Sequence, residues 1–269
     1  GQSTLGRTLI QLHKPTSGDV WYKDVKISAM KPAEFASYRR QMQMIFQDPY
    51  ASLDPRMNVR DIIAEPLVTY KVCENKEALT KRVLELMDAV GVPRDFLYRY
   101  PHQFSGGQRQ RIGIARAIAL HPSLVICDEP VSALDVSVQS QVLNLLKDIQ
   151  AQYGLTYLFI SHDLSVVRFI SNRVCVMFLG KICEIGDSAL IYEKPLHPYT
   201  KFLMNAIPVA DPHLREEEKT LLEGEIPSPI NPPKGCRFHT RCPYATEKCR
   251  TEEPALREVE GRRVACHLV

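Results

Sequence analysis

The segment FSGGQRQRIGIARAIALHPSLVICDEPVSALD, residues 104–135, decides the fold of this 269-residue chain. Ser105 and the two glycines after it precede a polar stretch, which predicts a helix that begins with several unpaired backbone N–H groups. Such a helix end binds anions, because the free amides and the helix dipole both point toward the ligand. The apolar run 124–127 then predicts a buried strand that ends in Asp128 and Glu129, at the edge where open α/β sheets bind ligands. A phosphate-binding turn so close to a carboxylate pair indicates nucleotide hydrolysis.

Five segments match, in order, the motifs of one family: the chain resembles the ATP-binding subunits of ABC transporters. The matching segments are a Q-loop at Gln47 within 45–49, a signature loop at 104–108, a Walker B strand at 125–129, a D-loop at 132–135 and an H-loop at 161–163. One such match is weak, but five in the family's order are strong. The resemblance implies an α/β, P-loop NTPase fold of the ABC type with a mixed β-sheet, a helical signature subdomain and a small cysteine-rich C-terminal module.

The resemblance also implies roles for single residues. Asp128 is expected to hold Mg²⁺ through water, and Glu129, which points the other way in an extended strand, to act as general base on the attacking water. His162 is expected to contact the γ-phosphate, and Gln47 to contact Mg²⁺ and the attacking water. The simpler alternatives are helix-capping carboxylates, a structural histidine and a surface glutamine. The implied nucleotide-binding residues are Gly1, Gln2, Ser3, Thr4, Gln47, Ser105, Gly106, Gly107, Gln108, Asp128 and Asp135, with Glu129 and His162 catalytic and with Ser3, Gln47 and Asp128 as magnesium residues.

The first four residues, Gly1 to Thr4, match the end of a P-loop imperfectly. Gln2 stands where the family has a lysine, and the preceding loop and strands are missing. Gln2 cannot place a positive charge between the β- and γ-phosphates, so we expect the chain as written to bind ATP poorly. Ser3 can still ligate Mg²⁺. The interpretations are N-terminal truncation, a degenerate gene or an unrelated chain terminus.

The charge balance and hydropathy exclude two classes of protein. The sequence has 34 basic and 31 acidic residues and a net charge of +3, too balanced to indicate nucleic-acid binding. It contains no apolar run of the roughly 18–20 residues that a transmembrane helix needs, and no leader at its start. We therefore expect a soluble chain that reaches a membrane through a partner. ABC ATPases that act on DNA or ribosomes carry a long heptad insertion or a second cassette, and this sequence shows neither.

Four of the eight cysteines lie close together near the end of the chain, at Cys236, Cys242, Cys249 and Cys266. This segment has few apolar residues, so we expect a cross-link to hold it. Disulfides are disfavoured in a reducing cytosol, and structural zinc usually shows closer pairs. Wide spacing suits a 4Fe–4S cluster, which we favour over zinc, with free thiols third. Of the other cysteines, Cys127, Cys175 and Cys183 are expected to pack in the core.

The region 191–269 resembles the C-terminal region of ATPases that serve oligopeptide and dipeptide importers, some of which hold a 4Fe–4S cluster. The resemblance implies an ATPase domain over 1–190, with its helical subdomain at about 48–120. It implies an ATP-hydrolysing subunit at the cytoplasmic face of the bacterial inner membrane, partnered by a second ATPase subunit in a head-to-tail dimer, two permease subunits and an external peptide-binding protein. A catalytically impaired partner that donates only its signature, or the ATPase of a nickel or glutathione importer, are the alternatives.

The hydrophobic spacing predicts the following elements. Helices are expected at 5–12, 31–43, 105–120 and 136–153, and strands at 19–22, 44–46, 124–127 and 157–160, with a hairpin of 173–179 and 181–185. The apolar residues of 79–90 are expected in the core, and Arg109, Arg111 and Arg116 on a solvated face. The segment 215–219 is expected to be charged and exposed, and 226–233 to be an extended connector.

Overall fold

The structure, a computed structural model, describes residues 1–207 and 227–269. The predicted charged run Arg215–Lys219 and the first residue of the connector, Ile226, lie outside the described residues. The chain divides into two compact units, one of residues 3–162 and one of residues 163–269 together with the first two residues. The two units are described separately.

The first unit contains a parallel sheet of three strands. These are β3 (Met42–Ile45), β4 (Leu124–Asp128) and β5 (Thr156–Ile160), with β4 in the centre. Because β4 pairs on both sides, its residues 125–128 are fully buried. Met42 and Gln43, predicted in a helix, belong to β3 because they pair with Leu124 and Val125. The predicted strands at 124–127 and 157–160 are confirmed, each with one additional residue.

Six helices and a two-strand hairpin complete the first unit. They are α1 (Gln2–Leu9), β1 (Trp21–Tyr22), β2 (Val25–Lys26), α2 (Pro32–Gln41), α3 (Val59–Thr69), α4 (Lys76–Ala89), α5 (Gly106–Ile118) and α6 (Val136–Tyr153), with short 3-10 turns at Arg94–Phe96 and Pro101–Gln103. The helix starts follow from the sequence, since Asn58, Asn75, Ser105 and Asp135 each accept a hydrogen bond from a backbone N–H of the first turn. Helix α6 ends at Gly154, which has a φ of 63°.

The helices of residues 59–118 pack on one another. Helix α5 contacts both α3 and α4. The predicted apolar stripe is buried at Val83, Leu86, Met87 and Val90, whereas Leu79 is only half-buried. This stripe is therefore core, as expected.

The second unit is built on an antiparallel sheet of four strands. Its elements are α7 (Leu164–Ile170), β6 (Arg173–Phe178), β7 (Lys181–Asp187), α8 (Ser188–Glu193), α9 (Pro198–Asn205), a 3-10 turn (His239–Arg241), α10 (Glu247–Thr251), β8 (Arg257–Val259) and β9 (Arg262–Val264). The order of strands is β6-β7-β9-β8, so the predicted hairpin β6–β7 is confirmed. Strand β9 of the tail pairs with β7 and extends the same sheet. With a parallel and an antiparallel sheet, the chain has the α/β character and the mixed pairing predicted.

The cysteine-rich tail does not form a core of its own. Strand β9 pairs with β7, and Phe238 is 1% exposed in one cluster with Val176, Phe178 and Cys183. The prediction of a separate cysteine-rich module is therefore not supported: Phe238, Val264 and Cys266 of the tail are buried in clusters with residues that precede the tail.

A buried ion pair also joins the tail to β7. Arg262 Nη1 lies 3.5 Å from Glu184 Oε1, and both side chains are inaccessible to solvent to within 1%. The same carboxylate accepts hydrogen bonds from the N–H groups of Leu196 and His197, each at 3.0 Å. These bonds stabilise the buried Glu184 carboxylate, whose charge would otherwise be costly.

Two cysteine predictions for the core are right and one is wrong. Cys127 and Cys183 are buried, and burial raises the pKa of the Cys183 thiol to about 12. Cys175 is exposed, because the residues of β6 alternate and its neighbours Val174 and Val176 take the buried side. Across the two described parts of the chain, no helix is both long and apolar enough to span a bilayer.

Candidate nucleotide site

Three neighbouring parallel strands bring four of the predicted site residues to one edge of the sheet. Gln47 follows β3 by two residues, Asp128 ends β4 with Glu129 after it, and His162 follows β5 by two residues. Carboxyl ends of parallel strands share an edge, so residues far apart in sequence meet there. The order β3-β4-β5 places the carboxylate pair between the glutamine and the histidine.

Asp128 is held from the first turns of α1. Ser3 Oγ donates a hydrogen bond of 2.7 Å to Asp128 Oδ1. Arg7 Nη2 lies 3.9 Å from Asp128 Oδ2, and the aspartate side chain is fully buried. Oδ2 has no hydrogen-bond partner within the described residues. Helix α1 can approach β4 this closely because Gly6 faces it: a Cβ there would lie 3.1 Å from Ile126 Cγ2.

Glu129 lies outside the strand, contrary to the expectation of an extended strand through both carboxylates. Strand β4 ends at Asp128, and Glu129 has a φ of 47°, in the left-handed region that non-glycine residues rarely adopt. Its N–H donates to Ile160 O at 3.0 Å, and its carbonyl accepts from the Ser132 hydroxyl at 3.0 Å. These bonds hold the strained backbone, and residues in such conformations concentrate at functional sites.

Both oxygens of the Glu129 carboxylate are engaged by the flanking strands. Gln47 Nε2 donates to Oε2 at 2.8 Å, and His162 Nδ1 lies 3.2 Å from Oε1. The His162 side chain is 71% exposed, whereas that of Glu129 is 18% exposed, so the histidine forms the open side of the group. The structure therefore brings together Ser3, Gln47, Asp128, Glu129 and His162.

The signature residues form a second group. Ser105 and Gln108 make a reciprocal capping box, in which Ser105 N–H donates to Gln108 Oε1 at 3.0 Å and Gln108 N–H to Ser105 Oγ at 3.4 Å. The two glycines between them lie against the D-loop and α6. A Cβ on Gly107 would fall 2.3 Å from Val138 Cγ1, and one on Gly106 would fall 3.4 Å from Leu134 Cδ2.

Asp135 serves as the N-cap of α6. Its Oδ1 accepts from Val138 N–H at 3.0 Å and from Ser137 Oγ at 2.7 Å. These hydrogen bonds, the Val138 bond foremost, lower the pKa of Asp135. The side chain of Asp135 thus caps α6, whose residue Val138 contacts Gly107 of the signature loop. Gly1, Gln2 and Thr4 stand at the start of α1, and Gln2 is its first residue.

Three arginines make contacts that the sequence analysis did not predict. Arg116, placed on a solvated face, is largely buried and donates to Ser52 O at 2.7 Å, and burial lowers its pKa. Arg109 donates to Pro101 O at 2.8 Å and its guanidinium lies 4.8 Å from the centre of the Tyr50 ring. Arg7 was not singled out at all. Its spacing of four from Ser3, which puts both on one side of α1, was the available signal.

The donors at this edge fit a magnesium–nucleotide complex. Mg²⁺ prefers oxygen ligands and is usually bound by one or two carboxylates together with substrate phosphates. The adjacent Ser3 hydroxyl and Asp128 carboxylate are of that kind, and Asp128 Oδ2 has no hydrogen-bond partner in the described part of the chain. Ser3, Asp128 and Gln47 would hold the metal.

The four tail thiols are neighbours. Burial raises the pKa of the Cys236 thiol, and the thiols of Cys242, Cys249 and Cys266 raise it further. The Leu268 N–H donates to Cys266 Sγ at 3.4 Å, and the Thr246 hydroxyl lies 3.3 Å from Cys249 Sγ. Yet among residues 1–207 and 227–269, no three or more histidine, cysteine, aspartate or glutamate side chains are arranged to hold a metal ion. An iron–sulfur or zinc site thus has no support from ligand geometry.

A capped helix start at Ser105, a buried aspartate bonded to a serine hydroxyl and a glutamate held between a glutamine and a histidine are the arrangement expected of an ABC-type nucleotide hydrolase. Comparison with known families agrees. The family described as ABC transporter matches residues 1–132, and the one described as oligopeptide/dipeptide transporter, C-terminal region, matches residues 183–249. The chain belongs to the family of ABC transporter ATP-binding proteins, in its oligopeptide/dipeptide branch. The resemblance stated from the motifs is confirmed.

Similar proteins cover the whole chain. It is 55% identical to the putative oligopeptide transport ATP-binding protein YkfD of Bacillus subtilis over 100% of this chain and 82% of that protein. It is 53% identical to the oligopeptide transport ATP-binding protein OppF of Escherichia coli over 99% of this chain and 80% of that protein.

Solved structures show the same fold. The dimeric, ADP- and Pi-bound ATP-binding cassette MJ0796 is 30% identical, with a TM-score of 0.63 over 70% of this chain and 81% of that one. The ABC transporter component cbiO1 of Clostridium perfringens is 26% identical, with a TM-score of 0.64 over 72% of this chain and 76% of that one.

Proposed function

We propose that this chain is the ATP-hydrolysing subunit that energises the import of oligopeptides or dipeptides across a bacterial cytoplasmic membrane. The single observation that carries the proposal is the Glu129 carboxylate, held at the sheet edge by Gln47 at 2.8 Å and His162 at 3.2 Å beside the buried Asp128. The full-length similarity to oligopeptide transport ATP-binding proteins supports the substrate class.

In the proposed mechanism the residues act mainly by positioning. Bound Mg²⁺ would supply charge neutralisation of the phosphates. Ser3, Asp128 and Gln47 would hold it, and the Gln47 amide, which also donates to Glu129, would link the metal to the general base. Glu129 would accept the proton of the attacking water, and His162, on the open side, would face the γ-phosphate. A positioned general base contributes about 10²–10⁴-fold.

We propose that the signature group works on the nucleotide of a second subunit. Gly106 and Gly107 pack against Leu134 and Val138, in a group separate from the carboxylates of Asp128 and Glu129. A head-to-tail dimer would place Ser105 to Gln108 of one subunit, with Asp135, over the γ-phosphate held by the other. The dimeric state named for MJ0796 supports this arrangement.

The remaining partners and regions follow from the same family membership. We propose two permease subunits and an external peptide-binding protein as partners, and a peripheral position on the cytoplasmic side of the membrane. Residues 1–190 would form the ATPase region, with the helical subdomain at about 48–120, and residues 191–269 the peptide-importer region.

A second function, a signature donor with an impaired site of its own, rests on Gln2. A glutamine at this position supplies no charge to the phosphates. The intact set of Ser3, Asp128, Glu129 and His162 supports hydrolysis instead. A nickel or glutathione importer would use the same ATPase chemistry, and the C-terminal similarity to oligopeptide and dipeptide transporters favours peptides.

We also propose that Cys236, Cys242, Cys249 and Cys266 hold a 4Fe–4S cluster, with zinc as the alternative. The proximity of the four thiols and the Leu268 N–H bond to the Cys266 sulfur support it, since such bonds tune cluster sulfurs. Metal binding would require the thiols to draw closer together.

The decisive experiment compares the wild type with Glu129→Gln in a complex reconstituted with the permease pair, the second ATPase subunit and the peptide-binding protein. We expect peptide-stimulated ATP turnover to fall at least about 100-fold while ATP binding is retained. Ser132→Ala, which removes only the hydroxyl bond to the Glu129 carbonyl, is a milder control. Unchanged turnover in Glu129→Gln would rule out the proposed role of this carboxylate.

A further inference from the structure

One arginine outside the predicted site reaches the buried Asp128. Arg7 follows Ser3 by four positions in α1, so both side chains lie on one side of the helix. Ser3 Oγ donates to Asp128 Oδ1 at 2.7 Å, and Arg7 Nη2 lies 3.9 Å from Oδ2. The two oxygens of one carboxylate therefore face two successive turns of the same helix.

At this contact an acceptor and a donor, Asp128 Oδ2 and Arg7 Nε, both lack a hydrogen-bond partner in the described residues. The Asp128 side chain is fully buried. A buried carboxylate without a counter-charge is strongly unfavourable, and a nearby guanidinium compensates it. The Arg7 side chain remains 43% exposed, so the group that compensates Asp128 lies at the boundary between the sheet edge and solvent.

Apolar contacts also seat α1 on the sheet. Gly6 already packs against the central and neighbouring strands, since a Cβ there would lie 3.1 Å from Ile126 Cγ2 and 3.2 Å from Ile160 Cδ1. The helix is thus seated on the sheet by apolar contact. What Arg7 adds is a positive charge on the side of Oδ2, 3.9 Å away.

We propose that Arg7 is a positioning residue for magnesium–nucleotide binding. It holds Asp128 Oδ2 so that Oδ1 stays turned toward Ser3, the side on which these two residues would hold Mg²⁺. This inference rests on the proposed function, because it requires Ser3 and Asp128 to be the magnesium residues. Arg7 acts through Asp128 and does not itself touch the metal. Removing outer partners of this kind typically costs about 10–100-fold in metal affinity.

The test measures metal affinity apart from turnover. Mn²⁺ binding to the ATP-saturated protein is titrated by electron paramagnetic resonance, and ATP affinity is measured separately in EDTA. The variants are Arg7→Met, Arg7→Lys, which keeps the charge, and the control Arg56→Met, whose side chain is 87% exposed and pairs with Asp54. We expect Arg7→Met to weaken Mn²⁺ binding about tenfold, Arg7→Lys to weaken it less, and both to change metal-free ATP affinity less than about twofold.

The contrary outcomes are distinct. Equal Mn²⁺ affinity together with a lower urea midpoint would make the contact a structural ion pair and overturn the proposal. An equal loss of ATP affinity with and without metal would place Arg7 on the nucleotide and also overturn it. If the wild type itself shows no metal-dependent ATP binding, the proposed function fails first, and this inference with it.

Discussion

Gly107 of the signature turn and Val138 of α6 are in such close contact that a Cβ on Gly107 would lie 2.3 Å from Val138 Cγ1. The backbone at the start of α5 therefore packs directly on the Val138 side chain in the first turn of α6. Asp135, the cap of α6, lies three residues before Val138, so the contact joins the signature loop directly to the D-loop. A change in the position of one motif must move the other, because dense packing transmits displacement.

Gly107→Ala is expected to disturb both motifs. The added methyl must displace Val138 or the helix start, at a cost of about 1–3 kcal/mol in the free energy of unfolding. Peptide-stimulated ATP turnover of the reconstituted complex should fall with it. Urea unfolding and turnover are the two measurements.

A compensating variant and a control test whether the contact with Val138 causes the loss. Val138→Ala removes the clashing methyl, so Gly107→Ala/Val138→Ala should recover part of the loss. Gly113→Ala lies in the same helix with no atom within 4 Å of its Cβ, and should stabilise the protein by up to about 1 kcal/mol. A double variant as impaired as Gly107→Ala would show that the contact is not the cause.

Arg116→Met is expected to destabilise the protein although the sequence suggested a solvated residue. Arg116 is largely buried, and its Nη1 donates to Ser52 O at 2.7 Å. The variant leaves that carbonyl without its donor, which costs about 1–3 kcal/mol. Urea denaturation of Arg116→Met beside the exposed control Arg56→Met measures the difference. A loss no larger than that of the control would contradict the burial of the guanidinium.

The stability of the protein should fall as the pH drops from about 6.5 to about 4, partly because of His197. The side chain is 2% exposed, and burial lowers its pKa from 6.5 to about 4. The unfolded chain takes up this proton at a higher pH than the folded one, so the contribution is fully present above pH 6.5 and lost on acidification. Over the full range it amounts to about 3 kcal/mol.

His197→Asn isolates this contribution. Asparagine can keep the cap that His197 Nδ1 provides to Tyr199 N–H, at 3.0 Å in the wild type, but does not titrate. Urea midpoints at pH 7.5 and 5 should differ less in the variant than in the wild type. The comparison is between the changes of the urea midpoint with pH in the two proteins, because the smaller side chain also lowers stability at every pH. Equal changes would mean that His197 does not stay neutral in the folded state.

The tail cysteines should carry metal if the proposed site exists. Protein purified without oxygen is expected to contain iron and to absorb broadly near about 400 nm, or to be colourless with zinc in the alternative. Cys236→Ser and Cys249→Ser should lose the metal, whereas Cys73→Ser, in the other compact unit, should keep it. If the wild type contains neither iron nor zinc, the proposed metal site is wrong and the four cysteines are free thiols.

Gln2→Lys should strengthen ATP binding by restoring the charge that the position lacks. Lysine at the start of α1 would add a cation beside the helix N-terminus, where phosphate is already favoured. We expect at least about a tenfold gain in ATP affinity, since one charge-assisted phosphate contact is worth about 1.5–3 kcal/mol. Titration of a fluorescent ATP analogue measures it, with Gln2→Met as the uncharged control. Equal affinities for the two variants would count against a phosphate site at this position.

Much of the site was predictable because its residues stand at the ends of strongly patterned segments. Apolar runs before Gln47, Asp128 and His162 predict buried strands, and parallel strands bring their carboxyl ends together. Ser105 and Gln108 form a capping box that is visible in sequence. Helix α6 has the predicted bounds, since Asp135 and Gly154 mark its two ends.

Other features depend on contacts between distant segments, which no local pattern records. The sequence by itself determined the order of the motifs, the apolar strands before the site residues and the place of the carboxylate pair at the end of one strand, because these follow from local periodicity and residue chemistry. Only the tertiary structure decided that Glu129 leaves the strand at a φ of 47°, that Arg7 reaches Asp128, that Arg116 is buried and that the tail joins the sheet through β9. The physical reason is that burial and counter-charges are set by what packs opposite a residue, and that partner lies elsewhere in the chain.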